Sequence, residues 1–363
     1  MIQRIFITTL SSPETIGALN LSFAACNFSR NLMSGGMFDK VYSILPPFVR
    51  GDLNQSIVPA DADMMYSRYR NKSNVIFKIL SLWDENYHIY RQIPKNASVW
   101  YYNLCMLNVG VFILIKLFKP HVKQNVIVLD FTPNSKRFSL LNLYKWLFNR
   151  ANSTILLAPY FEFTNTNSAC LPGVVPQSTS NYPKIAQVSN EFLISGALSE
   201  NISLLRTLVI PAFKRMSNYR LHITGDVCDR ENLNEDIKQY NNIIYHGKLT
   251  SEKYFELLHS VTFVLSTRNP NSIENQCNFP SKIIESLLHN RAVISTMEYP
   301  QIRNLKYFKV SSNIDEFVDS INRILGEDKN EIMQYVNQAK ETRKNFSPQV
   351  WKDTMIKLEN NEK

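Results

Sequence analysis

From residue 191 onward, short apolar runs alternate with stretches whose apolar residues recur at helical spacing. Residues 191–198, "EFLISGAL", read as a strand running into a glycine, and 201–216, "NISLLRTLVIPAFKRM", carry a helix pattern. Residues 219–226, "YRLHITGD", and 242–249, "NIIYHGKL", read as strands, 251–261 as a helix, and 262–268, "TFVLSTR", as a strand. A polar stretch follows, then a helix at "SKIIESLLHN" and a strand at "RAVIST". Alternation of this kind predicts parallel βαβ units. Ligands of such sheets bind beyond the carboxyl ends of the strands, and Gly196, Gly225, Gly247 and Arg268 all fall there.

The first half is less regular, but "RIFITTL", "KVYSIL", "NVIVLD" and "STILLAPY" read as strands with helical stretches between them. A loop over 170–184, "CLPGVVPQSTSNYPK", has the composition of a linker. The expectation is an α/β chain with two doubly wound, Rossmann-like domains facing a cleft. The first covers 1–170 and the second 171–345, and a last helix within 346–363 could pack back on the first.

Composition adds a constraint on partners. Of the 363 residues, 44% are hydrophobic and 20% charged, which fits a soluble, globular chain. Residues 1–170 hold 17 Lys+Arg against 9 Asp+Glu, while 171–363 hold 23 against 22, so nearly all of the +9 net charge lies in the first half. A basic half can meet an anionic membrane or a phosphorylated substrate. No nucleic-acid-binding signature accompanies it, so nucleic acid is not an expected partner. The stretch 136–150, "KRFSLLNLYKWLFNR", mixes basic and aromatic residues as an interfacial helix does, or as a core helix with a basic edge does. Residues 99–115 are apolar but only 17 long and contain Asn103 and Asn108, which reads as a buried helix feeding the strand "NVIVLDF". The start of the chain lacks the apolar core of a signal peptide. Five scattered cysteines without a CxxC pair, and six histidines without ligand spacing, predict neither a disulfide framework nor a metal site and fit a cytoplasmic chain. No GxGxxG, P-loop lysine or GxSxG is present, and the Asp61–Asp63 "DAD" follows no clear strand.

The richest segment is 278–296, "NFPSKIIESLLHNRAVIST". Ile283, Ile284, Leu287 and Leu288 form one apolar stripe that should face the sheet. Pro280 suits a first turn, Asn278 or Ser281 could cap, and Asn290 suits the left-handed position after the helix. Such a helix points its free N–H groups at the ligand edge, where Lys282 adds positive charge.

From "FLISGAL" to "AVIST", about 105 residues, the chain resembles the carboxyl domain of GT-B retaining glycosyltransferases of family four. It is most similar to bacterial polysaccharide enzymes that carry Phe-Pro-Ser-Lys before a glutamate-bearing helix. The matching pieces are "ISGAL", "LHITGD", "IIYHGKL" followed by a Tyr-containing helix, "LSTR", Glu274, "FPSK" (279–282) and Glu285. The resemblance implies a nucleotide-sugar donor, a glycan or lipid-linked acceptor and no metal or other cofactor. It implies that Glu285 holds the donor ribose, that Glu274 lies near the donor sugar, and that the Gly196 turn, with Gly225, lets backbone approach the diphosphate. It further implies that His246, Gly247, Lys248 and Leu249 present backbone to the base, and that Arg268 and Lys282, with Phe279, Pro280 and Ser281 around them, stabilise the leaving diphosphate. Asp130, at the end of "NVIVLD", is the acceptor-side candidate by position. The chain departs from the family pattern at three places: Cys277 stands eight residues before Glu285, where the other glutamate is common, Ala197 and Ser-Glu-Asn stand where an Arg and a Lys usually follow the Gly196 turn, and the histidine often found in the amino-terminal domain has no clear match. These departures keep two alternatives open, a GT-B subunit that binds without catalysis and a GT-B sugar epimerase.

Overall fold

The computed structural model describes residues 2–49, 57–128, 140–158, 165, 167–177, 182–227 and 230–361. Its internal contacts divide the chain into two units, Met1–Gln177 with Phe346–Lys363, and Ser178–Asn345.

Unit 1 begins with β1 (Gln3–Thr8), α1 (Phe23–Met33), β2 (Lys40–Ser43), β3 (Asp63–Met64) and α2 (Val75–Gln92). It continues through β4 (Ala97–Tyr102), α3 (Val109–Phe118), β5 (Lys123–Val128), α4 (Leu140–Phe148), β6 (Ser153–Leu156) and β7 (Ser168–Cys170). The described strands form one sheet in the order β3-β2-β1-β4-β5-β6-β7, every pair parallel. Strands covered on both faces need continuous apolar runs; Ile5, Phe6 and Ile7, or Val99, Trp100 and Tyr101, supply them and are fully buried. Strand order also fixes the helix layers. The crossovers β3→β4, β4→β5 and β5→β6 run in one direction along the sheet, and β1→β2 runs in the other. Right-handed crossovers therefore place α2, α3 and α4 on one face and α1 on the opposite face.

Residues 99–115 are not one buried helix. The β-branched and aromatic run Ser98–Tyr102 extends as the central strand β4, Asn103 turns the chain at φ 58°, and α3 starts only at Val109.

Unit 2 begins with β8 (Glu191–Ala197), α5 (Glu200–Ser203), a π-helical turn (Leu205–Val209), α6 (Ile210–Arg215), β9 (Arg220–Asp226), α7 (Arg230–Ile237) and β10 (Ile243–Tyr245). After these come α8 (Ser251–Ser260), β11 (Phe263–Ser266), α9 (Ile273–Cys277), α10 (Ser281–Leu288), β12 (Ala292–Ser295), β13 (Phe308–Lys309), α11 (Ile314–Gly326), α12 (Lys329–Ile332) and α13 (Ala339–Phe346). The sheet is again parallel, in the order β10-β9-β8-β11-β12-β13. The helix expected over 201–216 is broken: Leu204 sits in the left-handed region at φ 49°, and the next turn is wound as a π-helix. Its break follows from Glu200, whose carboxylate accepts from the backbone of Arg206 (2.9 Å) and Thr207 (3.1 Å) and from the Thr207 hydroxyl, so that a second helix start forms.

The chain returns to unit 1 as α14 (Pro348–Glu359). Trp351 is fully buried and donates its indole N–H to Gly173 O at 2.8 Å. At the other end of α14, the buried Glu359 carboxylate accepts from Arg4 Nη2 (2.8 Å), Arg4 Nε (2.9 Å), Ser98 Oγ (2.7 Å) and Trp100 Nε1 (2.9 Å). Behind Ser98 a buried donor chain crosses the sheet, Ser153 Oγ to Asn125 Oδ1 and Asn125 Nδ2 to Ser98 Oγ.

Removing one side of such a buried pair is expected to cost about 3–5 kcal/mol. Glu359→Ala should lose stability on that scale in urea unfolding. Glu359→Gln, whose amide oxygen still accepts from Ser98 and Trp100, should lose less. A loss below about 1 kcal/mol for the Ala variant, the ordinary surface range, would show that Glu359 does not anchor the helix.

Candidate functional site

In the unit 2 sheet the strand order reverses at β8: β9 and β10 lie on one side, β11 to β13 on the other. The carboxyl ends of β8 and β11 therefore flank the switch point, where parallel sheets hold their ligands. Gly196 and Ala197 end one strand; Thr267 and Arg268 follow the other. Thr267 Oγ1 donates to Ser203 O at 2.6 Å and ties the two sides together.

The helix α10 starts at this edge, since it follows β11. Its stripe Ile283, Ile284, Leu287 and Leu288 is buried, and Asn290 follows at φ 64° in the left-handed region. Neither Asn278 nor Ser281 caps it: the N-cap is Pro280, with no side-chain cap bond. Proline fixes the entry but offers no acceptor, so the first N–H groups have no side-chain partner of that kind. In the first turns, Lys282 Nζ donates to Glu285 Oε1 at 2.8 Å and lies 4.1 Å from the centre of the Tyr254 ring. Tyr254 donates its hydroxyl to the same Oε1 at 2.5 Å. Burial, and after it the Glu285 charge, raises the Tyr254 pKa well above its ordinary value, so the phenol stays a donor. Both bonds load one oxygen of Glu285 and fix the plane of the carboxylate. The sequence marked the helix that carries Tyr254 but gave the tyrosine no role; the structure places it one turn into α8, on the same sheet face as α10.

Arg268 is half-buried, and its backbone N–H and C=O both bond Thr296 Oγ1, at 2.7 and 2.6 Å. Its guanidinium reaches Asn275 Oδ1 at 3.4 Å. Glu274 lies in the short helix α9 and not in a loop; its side chain is exposed while the adjacent Asn275 is buried. Asn275 is thus the α9 residue that touches Arg268. Phe279 and Pro280 are buried, Phe279 packing edge-on to Tyr299 at 5.2 Å, and Ser281 is exposed.

Gly196 pairs with Gly225 across β8 and β9. A Cβ on Gly225 would lie 2.0 Å from Gly196 O, and Gly225 sits at φ 126°, so only glycine lets the two strand ends approach this closely. Gly247, at φ 70°, presents its carbonyl to Gly225 N (3.0 Å) and Thr224 Oγ1 (2.7 Å). Beside it Lys248 pairs with Asp226 at 3.3 Å, Leu249 is half-buried, and His246 Nε2 lies 2.9 Å from His222 Nδ1. His222 Nε2 in turn lies 2.5 Å from Glu191 Oε2, which orients the pair. Among the described residues no cluster of three or more His, Cys, Asp or Glu could hold a metal.

Neither a family model nor a curated protein matches this chain by sequence. Solved structures do. The lipopolysaccharide outer core galactosyltransferase WaaB is similar over 100% of both chains, with a TM-score of 0.61 at 13% identity. Sucrose-phosphate synthase from Thermosynechococcus elongatus matches over 99% of this chain and 98% of its own, with a TM-score of 0.66 at 10% identity. A TarM variant from S. aureus, in complex with Fondaparinux, alpha-GlcNAc-glycerol and UDP, matches over 77% of this chain, which spans 58% of TarM, with a TM-score of 0.53 at 16% identity. The fold is the GT-B fold.

In this GT-B chain the unit 2 candidates Gly196, Gly225, Arg268, Lys282 and Glu285 all sit at or beside the carboxyl edge of one sheet, as does the 246–249 segment after β10. Asp130, the acceptor-side candidate, lies outside the described residues.

The far end of α10 is held by a second constellation. His289 Nδ1 lies 2.8 Å from His259 Nε2, and its ring stacks on Phe255 at 4.8 Å. Burial first, then the neighbouring charges of His259, Arg291, Lys282 and Arg343, lower the His289 pKa to about 3; burial and Arg291 also lower that of His259. These histidines stay neutral in the folded chain at pH values where the unfolded chain protonates them. Stability should therefore fall as pH drops from about 6.5 toward about 3, by up to about 1.4 kcal/mol per pH unit for each proton taken up only on unfolding. Thermal unfolding at stepped pH tests this. His289→Phe should flatten the slope between about pH 6 and pH 4, and an unchanged slope would remove His289 from the account.

Proposed function

We propose that this chain is a retaining glycosyltransferase, similar to the family-four bacterial polysaccharide enzymes, that moves a sugar from a nucleotide-sugar donor to a glycan or lipid-linked acceptor. The arrangement of Glu285, Lys282 and Tyr254 at the start of α10 carries this reading. One oxygen of Glu285 takes both Tyr254 and Lys282; the other is then the acceptor for a ribose diol. The uncapped start of α10, Lys282 and the Arg268 guanidinium supply positive charge for a diphosphate at the same edge. Backbone at 246–249 would receive the base, the Gly196 turn would admit the diphosphate, and Glu274 would meet the transferred sugar. Asp130 would serve the acceptor. With the leaving group neutralised by these side chains and amides, the reaction needs no metal in this reading. The TarM variant structure contains UDP and alpha-GlcNAc-glycerol, and WaaB is named a galactosyltransferase; both are of the kind proposed here. We place the enzyme in the cytoplasm, acting at the inner face of the membrane.

The carboxylates can be told apart by calorimetry with nucleoside diphosphates. A charge-assisted hydrogen bond is worth about 1.5–3 kcal/mol. Glu285→Gln should therefore weaken nucleotide binding about ten- to hundredfold. Glu274→Gln should leave nucleotide affinity unchanged and lower turnover of the intact donor. Unchanged affinity in Glu285→Gln would mean the ribose is held elsewhere.

Lys282 and Arg268 are tested by turnover. Loss of one electrostatic stabiliser typically costs about 10²–10³ in rate, and Arg268→Ala should fall in that range. Lys282→Ala should lose nucleotide affinity as well, because it also releases Glu285. Full donor hydrolysis by Lys282→Ala would overturn its role.

A further inference from the structure

The helix α2 is built inside out. Its inward face carries Ser81, Glu85 and Asn86, all buried, with Ile89 as the one buried aliphatic. Its outward face carries Val75, Ile76, Ile79, Leu80, Trp83 and Tyr87, with Val75 67%, Ile76 64% and Trp83 49% exposed. These six recur at intervals of three and four residues, so they form one stripe along a helix about 27 Å long. A helix that met only water would bear the opposite pattern.

The inward polar face is fully engaged. Arg70 and Glu85 form a buried ion pair, with Nε to Oε1 at 2.7 Å and Nη2 to Oε2 at 2.6 Å, each side chain 1% exposed. Arg70 also donates to the carbonyls of Leu45, Pro46 and Val49. Asn86 donates to Leu82 O and Leu107 O and accepts from Val111 N. Hydrogen bonds therefore hold α2 in place, and burial of its apolar stripe does not. The stripe is left for something outside unit 1.

Its surroundings indicate what that is. The helices α3 and α4 lie on the same sheet face and continue the apolar surface with Leu117, Phe118, Leu143 and Trp146, all exposed. Lys116 Nζ bonds Arg150 O at 3.1 Å, which joins the ends of α3 and α4, and the Arg150 guanidinium stacks on Trp146 at 3.6 Å. Between residues 65 and 123 there are nine Lys and Arg and two acids, Asp84 and Glu85; setting aside the buried Arg70–Glu85 pair and Lys123, which donates to the Glu359 carbonyl, seven cations remain against Asp84. Lys119 caps the carbonyls of Tyr90 and Ile93 at the end of α2, and its proton affinity is lowered by burial and then by Arg91 and Lys95. A long apolar stripe with Trp and Tyr along it, rimmed by cations and nearly free of acids, matches the boundary of an anionic bilayer. It offers few hydrogen-bonding groups of the kind a protein partner would read.

We propose that unit 1 docks on an anionic lipid bilayer through the outward face of α2, with the exposed ends of α3 and α4 beside it. The proposal deepens the reading of a membrane-held acceptor, but its test does not depend on catalysis. The full chain is floated with vesicles of phosphatidylglycerol and phosphatidylcholine and with vesicles of phosphatidylcholine alone. The expected result is binding to the anionic vesicles that weakens between about 0.1 and about 0.5 M salt. Ile79→Glu/Trp83→Glu should lower it at least about tenfold. Phe23→Ser, at an equally exposed apolar residue on the opposite sheet face, should not. Both side chains of the double variant are about half exposed, so folding is preserved, and nucleoside diphosphate binding measured on the same protein confirms it. Undiminished vesicle binding by the double variant, equal binding to neutral vesicles, or no binding by the unaltered chain overturns the proposal. So does a dimer of the unaltered chain that the double variant dissolves, which would make the face a contact between copies. Intact nucleotide binding alongside any of these leaves the donor site standing and the docking face refuted; absence of nucleotide binding by the unaltered chain together with the expected vesicle result refutes the donor site and leaves the docking face standing.

Discussion

A carboxyl group buried beneath a sheet has to find donors for both its oxygens, and Glu359 finds them on three strand residues distant in sequence. Arg4 comes from β1, and Ser98 and Trp100 come from β4. The donor chain continues through Asn125 and Ser153, so β4, β5 and β6 are registered by side chains as well as by their ladders. A parallel sheet closes slowly, because each pairing waits on a long crossover. Here the last helix of the chain completes the polar network of the first strands. Trp351, packed among Phe28 and the unit 1 core, adds the apolar half of the same closure. The departure of the chain at Gln177 and its return at Phe346 are thus fixed by chemistry within unit 1.

The two units solve helix packing in opposite ways. In unit 2, α10 buries four aliphatic residues and turns Lys282 and Glu285 to the strand-end edge, which is the usual amphipathic arrangement. In unit 1, α2 buries an ion pair and an asparagine. Buried pairs contribute little net stability compared with apolar packing of equal volume, while the large apolar residues of α2 stay on its exposed face. That difference separates a helix packed by its apolar stripe from one whose apolar stripe is exposed.

Much of unit 2 was legible in the sequence because each strand is a short apolar run stopped by a glycine or a polar turn, and each crossover helix has its own stripe. The strand β4 was hidden for a physical reason: its apolar run passes into α3 through only six residues, so strand and helix fused into one membrane-length stretch. The edge strands β3 and β7 are too short, at two and three residues, for periodicity to register. At the site, Glu274 came from the family resemblance; in the structure it is exposed while its neighbour Asn275 is buried and bonds Arg268, and a period count cannot tell adjacent residues of a five-residue helix apart. The helix that carries Tyr254 was marked in the sequence, but the partnership of Tyr254 with Glu285 was not, because it exists only once α8 and α10 share a sheet face.

Glu200 sets apart the two helix starts that flank the switch point of unit 2. Of the helix starts at the carboxyl ends of the strands, two flank the switch point, one after β8 and one after β11. At the first, the Glu200 carboxylate already occupies the N–H groups of Arg206 and Thr207. An anionic group arriving there would have to displace a carboxylate held by three donors and would meet like charge before doing so. At the second, α10 has no side-chain cap, and Lys282 is held over Tyr254 at the same turn. Positive potential at the edge is therefore concentrated on α10 and Arg268. The start after β8 is thus closed by its own acid, while the start after β11 has no side-chain cap.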